Sequence, residues 1–366
     1  MNKGTAIVGF ILSFIAGMIL VNSPGAAQHR YAALRHAEWN GWTAADLIFP
    51  SFLFIVGVAT TLSIAGAVRA GVRRSVLLQK ILRRAVLIFS LGLLLNAFPQ
   101  FELATLRVPG VLQRIALCYG CAAILVLTTR PIHQLAIGVG LLVGYWPLLT
   151  LVPVPGGAAG ALTPELNLAS WIDRAAMPHH LYHPGWDPEG LLSTLPAIGT
   201  TLAGVMTGHW LRWPRSQVER VAGMLAAGNL AVLGGLAWGA AFPINKSLWT
   251  SSFAVFAAGV ALVVLGLCTW LVDLKRFRAW AKPFIVYGSN PLLAYVLSSW
   301  VDKAMMTWVL TRPDGSKIVL KQLVYDAVFL RFLSGPHASF AYALAYVLVW
   351  LVPLAALYRK GIFVRI

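Results

Sequence analysis

The stretch LIFPSFLFIVGVATTLSIAGAV, residues 47–68, runs for 22 residues without a charge. A bilayer core about 30 Å thick takes roughly 20 helical residues to cross, so this run reads as a membrane span and not as the core helix of a soluble domain. Working outward from it, charge-free apolar windows recur at 4–21, 85–98, 115–129, 132–152, 190–211, 221–241, 247–272, 283–301 and 338–357. The two short windows reach spanning length by extending past a flanking polar residue. The composition agrees: 58% hydrophobic against 11% charged lies far outside soluble usage. The expected fold class is therefore all-α, a polytopic membrane helix bundle of about 10 transmembrane helices. It is read as one domain over 1–366, with no internal repeat.

The formal net charge of +17 is placed unevenly. Alternate connections hold Lys3; Arg69, Arg73, Arg74, Lys80, Arg83 and Arg84; Arg130; Arg212, Arg215 and Arg220; Lys275, Arg276, Arg278 and Lys282; and Arg359, Lys360 and Arg365. Only Glu219 and Asp273 oppose these 18 basic residues, so one side carries +16 and the other +1. By the positive-inside rule the basic side is cytoplasmic, which puts both termini there and keeps the first window as a retained helix. One missed helix would invert every later loop and destroy this partition. Membrane topology thus accounts for the basicity, and no nucleic-acid partner is needed. Membrane lipid is the expected surrounding.

The outer connections 22–46, 153–189 and 302–337 are longer and hold most of the polar chemistry. Segment 318–332 mixes apolar residues with Lys321, Asp326 and Arg331, and reads as an interfacial or re-entrant piece. His179, His180 and His183 lie in a Pro/Gly-rich loop without further ligands at metal spacing, so a solvated loop is expected and no metal. Cys118 and Cys121 form one CxxC with no second pair to complete a zinc site; packed or lipid-facing thiols are the reading. Gly140 and Gly144 make one GxxxG, read as packing within the bundle, with a homodimer as the alternative.

Ionisable groups at span ends are costly unless they have partners or a task, and here they gather on the outer side. Asn22 ends the first window, and the next connection contains His36, Glu38, Trp39, Asn40 and Asp46. Arg107 and Arg114 flank the fourth window, Asp187 and Glu189 open the sixth, and Asn245 with Lys246 opens the eighth. His36 stands beside an aromatic and two carboxylates, and an imidazole can accept a proton at physiological pH. Asp46 reads equally as a helix cap or a site residue. Trp39 reads as an interfacial anchor or a substrate contact, and Arg114 as a partner for a carboxylate. On the basic side, Lys80, Arg83 and Arg84 with Arg276 and Arg278 suit a phosphate-bearing ligand or anionic lipid, although topology also explains such clusters.

The segments IAGMILVN (15–22), RHAEWNGWTAADLIFPSFLFIVGV (35–58), RVPGVLQRIALCY (107–119), WDPEGLLSTLPAI (186–198), PINKSLWTSSF (243–253), YGSNPLLAYV (287–296) and LYRKGIFVRI (357–366) resemble the heparan-α-glucosaminide N-acetyltransferase family of membrane acetyltransferases. The resemblance implies acetyl-CoA as cytoplasmic donor and a glucosamine-type amine, on an amino sugar or glycan, as acceptor on the far side. It implies a bacterial-type inner (plasma) membrane setting with His36 on the periplasmic or extracellular face. The family's active-site histidine, in its HAxWNG motif, falls on His36, and its preceding asparagine on Asn22. Relatives carry an SLDxxRG motif before IAGMILVN, where this chain has Val8 and Ile11 at the Asp and Arg positions.

With that implication, His36 acts as base or nucleophile, Asn22 or Asn40 supports the oxyanion, and Asp46 completes the catalytic set. Trp39, Asp187, Glu189, Asn245 and Lys246 contact the acceptor. Lys80, Arg83, Arg84, Arg114, Arg276, Arg278 and Asn290 hold the donor. Two competing readings are a transporter of a sugar or lipid-linked intermediate, which would use midplane polar groups on broken helices such as that at Asn290, and a non-catalytic relative.

Overall fold

The computed structural model describes residues 5–312 and 314–364, with the backbone alone for 5–13; Lys3 and Arg365 and the side chains of Val8 and Ile11 lie outside the described residues. Its α-helices are α1 (Thr5–Asn22), α2 (Ala44–Arg69), α3 (Arg74–Ala97), α4 (Val111–Thr128), α5 (Pro131–Leu151), α6 (Leu168–Ala176), α7 (Thr194–Arg212), α8 (Gln217–Gly239), α9 (Ser251–Thr269), α10 (Lys282–Ser289), α11 (Pro291–Thr307), α12 (Leu320–Val324) and α13 (Gly335–Arg359). Each of the ten apolar windows falls on a helix, the ninth on the pair α10–α11, which bends by 76° at Asn290. Among the described residues six helices, α2, α4, α5, α8, α9 and α13, are both long and apolar enough to cross a membrane, or seven with the bent pair as one. The protein is an all-α membrane protein. Of the other windows, α3 carries Arg74, Lys80, Arg83 and Arg84, and α7 carries four threonines and Arg212.

Burial separates inner from outer helices. The apolar windows of α2 and α4 are 67% and 61% buried, whereas those of α5 and α8 are 22%, so α2 and α4 form the centre and α5 and α8 turn a broad face outward. The centre is built from Leu53 on α2, Cys118 and Ala122 on α4, Leu202 and Val205 on α7, and Trp249 and Phe253 at the start of α9. In lipid the hydrophobic effect does not drive helices together, so close packing through small residues has to. A Cβ on Gly204 of α7 would stand 1.8 Å from the Phe54 carbonyl oxygen of α2, and one on Gly57 2.0 Å from that of Thr201. Gly235 of α8 and Gly259 of α9 do the same for their pair, meeting Phe256 and Val232 backbone nitrogens at 2.5 and 2.6 Å.

The GxxxG of α5 behaves differently. Nothing lies within 4 Å of where a Cβ would be on Gly140 or Gly144, so these glycines do not pack within the bundle as the spacing suggests. Two further departures come from loops. The connection 153–189 is not wholly irregular: Asn167 accepts the Ser170 N–H at 2.8 Å and caps α6, which buries Leu168, Ala169, Ser170 and Asp173. A two-stranded hairpin, β1 (Val309–Thr311) with β2 (Lys317–Val319), precedes α12. Beyond it, 320–330 forms α12 and one π-helical stretch, too short to span, held by a buried ion pair between Lys321 and Asp302 at 2.8 Å.

Candidate active site

Connections 23–43, 98–110, 177–193 and 240–250 and the ends of α1, α2 and α4 enclose a cavity of about 360 Å³, to which 302–337 contributes no lining residue. Its walls carry Asn22, His36, Glu38, Trp39, Asp46, Arg107, Tyr182, His183, Trp186, Glu189 and Lys246. His36 and Lys246, 210 positions apart, meet here because α2, α4, α7 and α9 all begin at this end.

Asp46 is 1% exposed and its two oxygens do different work. Oδ2 accepts the backbone N–H of Thr43 at 3.1 Å and of Ala37 at 3.0 Å, which fixes the start of α2 and folds the His36 segment back over it. Oδ1 lies 2.7 Å from His36 Nδ1 and 3.3 Å from Lys246 Nζ. Asp46 thus caps α2 with one oxygen and faces His36 and Lys246 with the other. His36 Nδ1 also lies 3.0 Å from Lys246 Nζ, and one nitrogen cannot donate to the carboxylate and accept from the ammonium together. The tautomer with Nδ1–H on Asp46 leaves the Nε2 lone pair free, and Nε2 has no protein partner among the described residues. Burial pushes the Lys246 ammonium below its usual range, against the pull of Asp46. The Asn22 amide lines the cavity and likewise has no protein partner among the described residues.

The opposite wall is set by Arg107. Its guanidinium grips Asp187 in bidentate fashion, Nε to Oδ2 at 2.9 Å and Nη2 to Oδ1 at 2.7 Å, and donates to Glu189 Oε2 at 2.5 Å. Burial alone would lower the Arg107 pKa, but the bonds and charges of these two carboxylates outweigh it and raise it. Asp187 also accepts the N–H of Tyr182 and of Glu189, at 2.8 and 2.9 Å. Every oxygen of Asp187 is committed, and it stands behind the wall, while Glu189 lines the cavity. Behind them Asp173 accepts the Leu191 N–H at 2.8 Å, and burial pushes its carboxyl up to about 6. Aromatic rings complete the wall: Trp39 meets Trp186 edge-on at 5.1 Å and donates its Nε1–H to the Leu162 carbonyl, and His183 stacks on Trp186 at 4.3 Å.

Other expected site residues are placed elsewhere. Asn40 and Asn245 bond to each other at 3.1 Å outside the cavity, and Asn245 Oδ1 accepts the Leu248 N–H, bracing the turn that presents Lys246. Arg114 is 1% exposed and forms no ion pair among the described residues; it donates to Gly190 O and Ser193 Oγ, and lies over the Trp249 ring at 5.1 Å. Asn290, at the break between α10 and α11, donates to Ile362 O at 3.0 Å and accepts the Val364 N–H at 2.6 Å, pinning the terminal segment. The exposed Lys80 and Arg83, and Arg276 and Arg278, do not line the second cavity on α2, but Arg84 does. That cavity, about 220 Å³, is walled by Phe52, Ile55, Val56, Ala59, Thr60 and Tyr119, with the Arg84 guanidinium over Tyr119 at 5.0 Å. His183, expected in a solvated loop, instead lines the cavity, and Tyr182 and Trp186 beside it carry no signal in the sequence because a loop offers no periodicity. Among the described residues no group of three His, Cys, Asp or Glu side chains could hold a metal ion.

Comparison with known proteins matches residues 14–238, more than half of the chain, to the family model described as heparan-alpha-glucosaminide N-acetyltransferase, catalytic. The chain belongs to the heparan-α-glucosaminide N-acetyltransferase family. The heparan-alpha-glucosaminide N-acetyltransferase of Mus musculus is 31% identical over 336 residues, covering 76% of this chain and 50% of that protein. The Homo sapiens protein of the same name is 30% identical over the same shares. The chain therefore spans about half the length of these relatives. In heparan-α-glucosaminide N-acetyltransferase terms, the matched region contains His36, Asp46, Arg107 and Glu189, whereas Lys246 comes from just beyond it.

Proposed function

We propose that this protein is a ten-span membrane acetyltransferase, with both termini cytoplasmic, that moves an acetyl group from cytoplasmic acetyl-CoA to the amine of a glucosamine-type sugar on the other side. The observation that carries this reading is the His36–Asp46 contact of 2.7 Å at the rim of a cavity large enough for one sugar. Family membership and the names of the relatives support the reaction type and the acceptor class.

The two cavities on α2 support the division of sides. Phe49 lines the outer one and Phe52 the inner one, three residues apart on the helix, a rise of about 4.5 Å. An extended thioester arm entering beside Arg84 would pass apolar walls and need cross only that turn to bring its carbonyl toward His36. Arg84, with Lys80, Arg83, Arg276 and Arg278 as an outer field, would hold the anionic end of the donor.

In the transfer, the N–C bond forms as the C–S bond breaks and the CoA thiolate leaves. His36 Nε2 either takes the proton of the attacking amine or first carries the acetyl group itself, while Asp46 stabilises the imidazolium. Asn22, on the cavity wall, would donate to the developing oxyanion, a contribution of about 10²–10³-fold in comparable sites. Glu189 and Lys246, both on the cavity wall, would orient the sugar. Trp39 and Trp186 would face its apolar side.

The transporter reading draws on the broken α10–α11 helix, but the polar group at that break is already bonded to backbone. Purified protein with labelled acetyl-CoA and glucosamine provides the test. His36→Ala is expected to lower transfer by about 10³-fold with unchanged melting; transfer at the parent rate would refute the assignment.

A further inference from the structure

At the end of α2 opposite His36, a groove of about 420 Å³ opens between the ends of α2, α4 and α7 and the start of α3. Arg69, Arg74, Arg130 and Arg212 line it, and no carboxylate does. Among the described residues, none of the four pairs with an Asp or Glu; the ion-paired arginines are Arg107, Arg215 and Arg312. Helix dipoles favour Arg69 and Arg212, which sit in last turns, but not Arg74 or Arg130, which open α3 and α5, where a cation meets the positive end. Positive-inside topology accounts for basic residues at this end. It does not account for their convergence, against dipole and mutual repulsion, on one groove without a counter-charge.

The interior of the groove is built. The Gln134 Nε2 donates to the carbonyls of Leu125 and Thr129 at 3.2 and 3.0 Å, which fixes its Oε1 as the acceptor for His209 Nε2–H at 2.8 Å. His209 thereby faces the groove in a set orientation, beside an apolar wall of Ile64, Val68, Val126 and Leu127. Guanidinium forks above an apolar wall match a phosphate group carrying an organic chain.

We infer that this groove binds a phosphate-bearing anion, at a site separate from the Arg84 cavity. The phosphate sits among the four guanidinium groups and any attached chain lies along the apolar wall. The site needs no acetyl transfer to exist, so it stands or falls apart from the catalytic reading.

The test uses the full-length protein in nanodiscs of phosphatidylcholine with or without phosphatidylglycerol, and in detergent with inorganic pyrophosphate. Binding is read from the melting midpoint and from lipid retained in native mass spectra. Arg130→Gln with Arg212→Gln is expected to weaken binding about tenfold or more, while Arg359→Gln, outside the groove, leaves it unchanged. Arg69→Gln with Arg74→Gln repeats the measurement should the first pair fail to fold. A response to pyrophosphate lost in the variants identifies a soluble phosphate as the source. Phosphatidylglycerol retention lost in the variants identifies a lipid headgroup. Equal binding by parent and variants for both probes would overturn the site, and displacement of either probe by coenzyme A would overturn its separateness.

Discussion

The two ends of α2 handle positive charge in opposite ways. At the outer end both cations on the cavity wall have a carboxylate: Arg107 holds Asp187 and Glu189, and Lys246 shares Asp46 with His36. At the inner end Arg69, Arg74, Arg130 and Arg212 face a groove with none. Paired charges in a partly buried wall hold side chains in place and leave one imidazole nitrogen for chemistry. Unpaired charges at a groove keep their attraction for an anion from outside. The contrast separates a preorganised site from a receptive one, and it can be broken or sharpened by substitution.

The largest effect is expected where the outer pairing is most buried. Arg107→Met leaves Asp187 and Glu189 without a counter-ion and should cost about 3–5 kcal/mol, read as a lower melting midpoint and easier proteolysis within 177–190. A loss no greater than that of a surface arginine would show that the outer pairs do not organise the wall.

Next comes Asp46→Asn, which keeps an oxygen for the Thr43 N–H but removes the charge beside His36. Acetyl transfer at saturating substrate, measured well below the variant's own melting midpoint, should fall by about 10²-fold or more. Transfer within a factor of two of the parent would remove Asp46 from the mechanism.

The smallest effect concerns Asp173, under the Glu189 segment. Burial raises its folded-state pKa to about 6 from an ordinary 3.8, so the folded form binds the proton more tightly. Its contribution is then most favourable below about pH 4 and is lost as pH rises through about 6. Asp173→Asn should flatten that part of the stability profile, on the order of 1–2 kcal/mol. A profile identical in parent and variant would contradict the raised value.

Much of this was legible in sequence because bilayer crossing imposes a length and a side on the chain. Ten apolar windows fell on helices, and the outer polar residues His36, Asp46, Glu189 and Lys246 met in one cavity. Asp187, Asn40, Asn245, Arg114 and Asn290 share the same residue types, but their neighbours bind them to the protein itself, and only three-dimensional partners reveal that. The inner groove was illegible for the converse reason. Each of its arginines reads alone as a topology signal at one helix end, and nothing in their spacing says that four ends converge. The capped α6 and the short hairpin lay in loops where local capping, and not periodicity, decides structure.

The central claim is that donor and acceptor meet the protein from opposite faces, and vesicles of known orientation test it most directly. With basic ends outward, labelled acetyl-CoA added outside and glucosamine trapped inside, the label should accumulate in the lumen as N-acetylglucosamine. Product formed only when both substrates share one face would contradict the account.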